Sequence, residues 1–185
     1  MQELKLEAWR KGRLWLDEPL PATFTPQEIR EEGVKAASAA ANIESHYVAI
    51  ELRLLRGSRP VYGLLGASFD PEPSSTELVI KALIGEGEIS YDQEFIAIAP
   101  EIIQIGLTEE YTLPILERSV ETLTNLSPLA SGVLTFNCAV HGTFTSNTAI
   151  FGFLSQLVTT TTSLLCKQID LETVMRLVTS AINSF

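Results

Sequence analysis

"SGVLTFNCAVHGTFTSNTAIFGF" (Ser131–Phe153) carries no formal charge, yet holds one of the chain's two cysteines and one of its two histidines. Its first half alternates. Leu134, Phe136, Cys138 and Val140 fall on one face of a strand; Thr135, Asn137 and His141 fall on the other. Gly142 turns the chain, and a helix begins near Thr148 with Ile150, Phe151, Leu154, Leu157 and Val158 on its core face. Strand positions three apart look in opposite directions, so Cys138 and His141 do not make a catalytic dyad. Cys138 reads as an inert core thiol, since no basic residue lies near it in sequence to stabilise a thiolate. His141 reads as an exposed or hydrogen-bonded residue at the strand's end.

Outward from this stretch the apolar spacing keeps switching period. Residues 3–16 predict a β-hairpin, with Leu4, Leu6 and Ala8 on one arm and Leu14 and Leu16 on the other. "TPQE" at 25–28 has a capping Thr25, Pro26 at a first helical position and Glu28 to close a capping box, which predicts a helix to about Ala41. Strands follow at 46–55, 61–69, 76–85 and 94–99. In the first of these Val48, Ile50, Leu52 and Leu54 face one way and Glu51 and Arg53 the other. Residues 108–125 predict a helix with a Leu113, Leu116, Val120 and Leu123 stripe. The last helix is capped by Asp170, with Val174, Met175, Val178, Ala181 and Ile182 facing inward. The expected organisation is an N-terminal hairpin and helix (1–45) packed on an α+β domain (46–185).

The net charge of −10 is unevenly spread. Residues 1–60 hold nine Lys/Arg and nine Asp/Glu, a net of zero; residues 61–185 hold four and fourteen, which is the whole −10. An acidic body repels phosphate backbones, so nucleic acid is not an expected partner. The basic groups Arg10, Lys11 and Arg13, and Arg53, Arg56 and Arg59, read as solvated turn regions. With two cysteines a disulfide framework is excluded, and free thiols in a reducing compartment are expected. No continuous apolar signal core opens the chain, and a cytoplasmic location is expected. The uncharged segment 148–166 has span-like length, but Gln156, two serines and five threonines argue for a buried helix and no membrane.

Signatures of chemistry are absent from the pattern. There is no C-x-x-C or H-x-x-x-H for a metal, no phosphate loop and no nucleophile elbow. "GEGE" at 85–88 sets acids where a phosphate would sit. Glu86, Glu88, Asp92 and Glu94 crowd one loop without the frame of a calcium site, and read as solvated. No cofactor, metal or catalytic residue is expected.

"VYGLLGASFDPEPSSTELVIKALIGEG" (61–87) and "LPILERSVETLTNLSPLASGVLTFNCAVHGTFTSNTAIF" (113–151) together resemble the fourth domain of elongation factor G. The first has an aromatic bounded by glycine, an E-P turn and an apolar strand. The second places Pro128, Leu129, Ala130, Gly132 and Gly142 where that family has P-L-A-G and a turn glycine. Over about residues 46–166 the resemblance implies a β-β-β-α-β-α two-layer sandwich. It does not imply translocation: the GTP-binding domain is missing, and the turn at 141–147 is shorter than the family's ribosome-reaching tip.

The expected function is a non-enzymatic, self-associating interaction module, with a homodimer or another protein as partner. The neutral span Thr122–Cys166 suggests it, because interface cores are depleted in charge. Thr135, Asn137, His141, Thr143, Thr159 and Thr160 are the candidate surface. Burial within one monomer would explain the same neutrality. The alternatives are a small acidic enzyme using carboxylates or His141 in a cleft, and a ribosome-associated factor.

Overall fold

The computed structural model describes every residue except 8, 41, 57, 58, 88–94 and 100. The readings placed on Ala8, Ala41, Glu88, Asp92 and Glu94 therefore lie outside the described residues. The elements are β1 (Gln2–Glu3), β2 (Lys11–Leu16), β3 (Thr25–Lys35), β4 (His46–Arg56), β5 (Arg59–Pro71), β6 (Glu77–Gly87), β7 (Ile103–Leu107), α1 (Glu109–Asn125), β8 (Gly132–Gly142), α2 (Thr148–Cys166) and α3 (Leu171–Ser184). The fold is mixed α+β. Its eight strands form one open sheet in the order β1-β2-β4-β5-β8-β7-β6-β3, and every pairing is antiparallel except β6 with β8.

β8 is the central strand. Along one side it pairs with β5. Along the other, its first half (Gly132–Phe136) runs parallel to β6, while its last residues (Val140–Gly142) pair with β7. β7 also pairs with the end of β6, so β6 and β8 part like a fork with β7 between the tines. The fork explains Gly106 and the second glycine of "GEGE", Gly87; the first, Gly85, is closed off by β3. Gly106 in β7 has φ +123°, and a methyl group there would sit 2.1 Å from the Gly85 carbonyl oxygen. A methyl at Gly87 would meet Ile105 of β7 at 2.7 Å, while one at Gly85 would sit 2.2 Å from the Thr25 carbonyl oxygen of β3.

The strand alternation of β8 does not hold throughout. Gly66 of β5 faces Cys138, but the next residue, Ala67, faces Phe136. Asn137 is thus the extra residue of a β-bulge, and the inward face changes there. Leu134, Phe136 and Ala139 join the core beneath the helices, whereas Cys138 and Val140 join a second apolar cluster on the far face. Cys138 therefore does not share a face with Leu134 and Phe136.

Both faces of the sheet's middle are buried. The helix side holds Val48, Ile50, Leu52, Phe69, Ile80, Ile115, Phe151 and Val158 among others. The far side holds Ala49, Tyr62, Leu64, Cys138, Val140 and Ile105, covered by Ala22 and Ile96 from two irregular segments. The strand expected at 94–99 is absent among its described residues; residues 95–98 form part of this cover, and the strand lies instead at β7.

The expected helix at 25–41 is also overturned. Residues 25–35 are β3, paired antiparallel with β6 over Thr25–Lys35. Capping signals are local, and they lose here to a ladder of long-range backbone hydrogen bonds. Only Ile29 and Val34 are apolar in that stretch, five apart, so no helical stripe existed to bury. β3 is the sheet's margin, and all its residues but Val34 are exposed. At the other end, β1 pairs with β2, as a hairpin with a two-residue first arm.

The helices lie where the spacing predicts, with one shift. α1 buries Tyr111, Ile115, Leu116, Ser119, Thr122 and Leu123, while Leu113 is 62% exposed. α2 is long and apolar enough to cross a membrane by length and composition, but 61% of that stretch is buried inside the fold. Thr159, Thr161 and Thr162 are buried, and Thr159 meets α1, its Oγ1 lying 3.4 Å from Ser119 Oγ. Small polar residues let the two helices approach closely. α3 is capped by Asp170, whose carboxylate accepts the Thr173 N–H, and buries Val174, Val178 and Ile182.

Candidate functional site

Two polar clusters are built into the sheet, one on each face. On the far face, Glu51 is fully buried. β4 presents it opposite Arg13 of β2 and beside Tyr62 of β5. A single carboxylate oxygen, Oε1, accepts both the Tyr62 hydroxyl (2.9 Å) and the Ile96 backbone N–H (2.8 Å). Arg13 approaches the other oxygen at 3.4 Å, and Arg53 donates to the Ile96 carbonyl at 3.2 Å. Arg13 and Arg53 are thus not solvated turn residues. Ile96 is held at both ends of its peptide, so the segment 95–98 is strapped down across the sheet. Burial raises the Glu51 carboxyl above its ordinary 4.5, against the pull of Ile96, Tyr62 and Arg13; the buried Tyr62 hydroxyl is pushed up as well. What the cluster does is fasten the strap.

At the fork, on the helix face, His141 is buried rather than exposed. Its ring meets Tyr111 edge-on at 5.5 Å, and Tyr111 stacks on Phe151 at 4.3 Å. Nδ1 lies 3.3 Å from the Gly106 carbonyl oxygen and Nε2 2.8 Å from Gln104 Oε1. Burial pulls the ring below 6.5, chiefly against the Gly106 carbonyl and then Glu110 and Glu86. With Nδ1–H donating to the Gly106 carbonyl, Nε2 of the neutral ring is an acceptor, and it bonds Gln104 once that side-chain amide is turned to present its NH2 in place of Oε1. Both nitrogens are engaged. Beside the ring lies a cleft of about 160 Å³, lined by Gly85, Glu86, Gly87, Gln104, Ile105 and Thr108.

Cys138 and His141 lie on opposite faces, the thiol among Tyr62, Leu64 and Val140 and the imidazole on Tyr111. Desolvation pushes the Cys138 thiol up to about 12. In the native protein at mildly alkaline pH, a thiol-reactive disulfide reagent should leave Cys138 unmodified and release it only in denaturant. Labelling followed by peptide mass analysis checks this. Prompt native labelling of Cys138 would mean the far-face cover opens readily.

The six candidate surface residues are not brought to one place. Thr135 and Asn137 are half-buried on the far face. Thr143 is exposed in the turn after β8 and donates to the Ile102 carbonyl. His141 is interior, Thr159 is sealed in the α1–α2 seam, and Thr160 is half-buried near Ser127. Much of the neutral span is therefore accounted for by contact within one chain. Sequence reasoning missed Glu51, because an alternating strand presents its charged positions as solvent-facing. The signal against that was in β5, where "VYGLLGASF" is apolar on both faces.

Among the described residues no group of three His, Cys, Asp or Glu side chains is placed to hold a metal. Comparison with family models, with curated proteins and with solved structures finds no match for the chain.

Proposed function

We propose that the chain is a non-enzymatic protein-interaction module that associates with itself. The observation that carries this reading is the sheet's margin. β3 offers eleven residues of backbone at the edge, exposed on both faces but for Val34. Long uncovered edges are templates for strand pairing. The chemistry points the same way: both thiols are pushed up to about 12, and His141 has both nitrogens bonded.

We read the connectivity as elongation factor G domain IV-like, with no translocation activity. The order β4-β5-β6, then α1-β8-α2, supports this, and β7 is an addition to it. Free cysteines support a cytoplasmic setting. The alternative of an enzyme rests on the small cleft beside His141, and stabilisation by a metabolite that His141→Phe abolishes would favour it. Light scattering on a sizing column tests the main reading. The expected result is twice the monomer mass at micromolar concentration; a monomer throughout that range removes it.

A further inference from the structure

The pattern of charges on β3 singles out one partner for that edge, and the inference rests on the self-association proposed above. From Glu28 onward the even-numbered residues lie toward the helices: Arg30 reaches Glu109 of α1, and Val34 packs on the helix-side core. The odd-numbered residues lie on the far face, where Glu31 pairs with Lys81. Joining two copies into a continuous sheet with helices on the same side requires residues of like parity to face each other, so the two-fold axis must pass through a residue.

We propose that two copies of the chain join β3 to β3, antiparallel, about a two-fold axis at Ile29, with the second copy's α1 lying against Leu113 and Val120. In this register Glu28 of each copy faces Arg30 of the other and Ile29 faces itself, and the bulge at Gln27 interrupts the regular ladder beyond Glu28. No like charges stand directly opposite. An axis at Arg30 sets Glu28 against Glu32 and Arg30 against itself; axes at Glu31 or Glu32 set each glutamate against itself. An axis at Gly33 avoids like pairs but engages only Glu31–Lys35 and sets Val34 against Glu32. Axes at Gln27 and Val34 also avoid like pairs but engage at most five residues of β3, so charge and ladder length together single out Ile29.

The surroundings of β3 fit a second copy. Residues 1–60 sum to zero charge, so β3 itself lies in the neutral part of the chain, whereas α1 belongs to the acidic part, with Glu109, Glu110, Glu117 and Glu121 against Arg118. Ile29 is 51% exposed. Between β3 and α1 runs a groove of about 490 Å³, lined by Leu113, Leu116 and Val120 and by Glu32, Glu117 and Glu121. α1 packs over both β3 and β6. With strands about 4.8 Å apart, the two α1 axes would stand about 10 Å apart across the two-fold, near the 8–10 Å of packed helices. One ladder and one helix pair would close together.

Charge exchange tests the register. Arg30→Glu and Glu28→Arg, each on the surface, should each raise the dimer dissociation constant at least about tenfold by analytical ultracentrifugation, with unchanged melting of the monomer. Mixing the two variants should restore a dimer, because positions 28 and 30 are then both basic in one chain and both acidic in the chain they face. A parent protein that is monomeric overturns both this proposal and the self-association reading. A parent dimer indifferent to either exchange overturns the β3 interface and leaves self-association standing. Loss of the dimer without rescue on mixing overturns the Ile29 register.

Discussion

Replacing Glu51 by alanine should lower stability by about 3–5 kcal/mol, enough to remove a large part of the margin of an ordinary domain. The substitution strands two buried donors at once, the Tyr62 hydroxyl and the Ile96 N–H, which both end on Oε1. Glu51→Gln should behave differently, since its one carbonyl oxygen can take both bonds. Its effect should depend on pH, and the sign follows from the raised carboxyl. A folded value above the ordinary 4.5 means the folded state holds its proton longer than the unfolded chain. The stabilisation from that proton is complete below 4.5 and is lost as pH climbs through the folded value. The melting temperature of Glu51→Gln relative to the parent should therefore rise as pH goes from acid to neutral. Taking the difference removes the opposite trend of His141, whose lowered value costs stability as pH falls below 6.5. A flat difference across this range would show that Glu51 titrates normally.

Gly106→Ala should be comparably damaging, at about 3 kcal/mol or more in chemical denaturation. The residue sits at φ +123°, and its new methyl would meet the Gly85 carbonyl at 2.1 Å, backbone against backbone, with no flexible side chain to give way. Relief requires β7 to leave β6. That movement would also withdraw the carbonyl bonded to His141. Gly33→Ala supplies the control: a methyl there meets nothing within 4 Å, and it should cost little. Equal losses from the two substitutions would refute the steric account of the fork.

Elements with long, regular apolar spacing were legible in the sequence. β4, β5, β6, α1, α2 and α3 each turn their apolar period inward, although Leu113 is exposed and Val120, Met175 and Ala181 are only half-buried. What failed was set by distant parts of the chain. "TPQE" has every local mark of a helix start, and only the edge of β6, some fifty residues away, makes it a strand. β7, "IQIGL", is short and broken by the glycine its place in the fork demands, and the more continuous run before it drew attention away. The Asn137 bulge moved Cys138 to the other face, which no alternation rule can foresee. Of the candidate surface, Thr159 lies inside the fold while Thr160 is half-buried, since burial between two helices and burial between two molecules leave the same neutral composition.

β8 has one more consequence, for how the chain is made. It alone ties β1-β2-β4-β5 to β7-β6-β3, and it follows all of them in sequence. A nascent chain that has not yet extruded residues 132–142 can assemble two smaller ribbons, but not their union. Each would present a raw apolar flank, along β5 and along β6, until the last strand slides between them. Such late closure by distant pairings is slow, and the waiting halves are the species most in need of a chaperone.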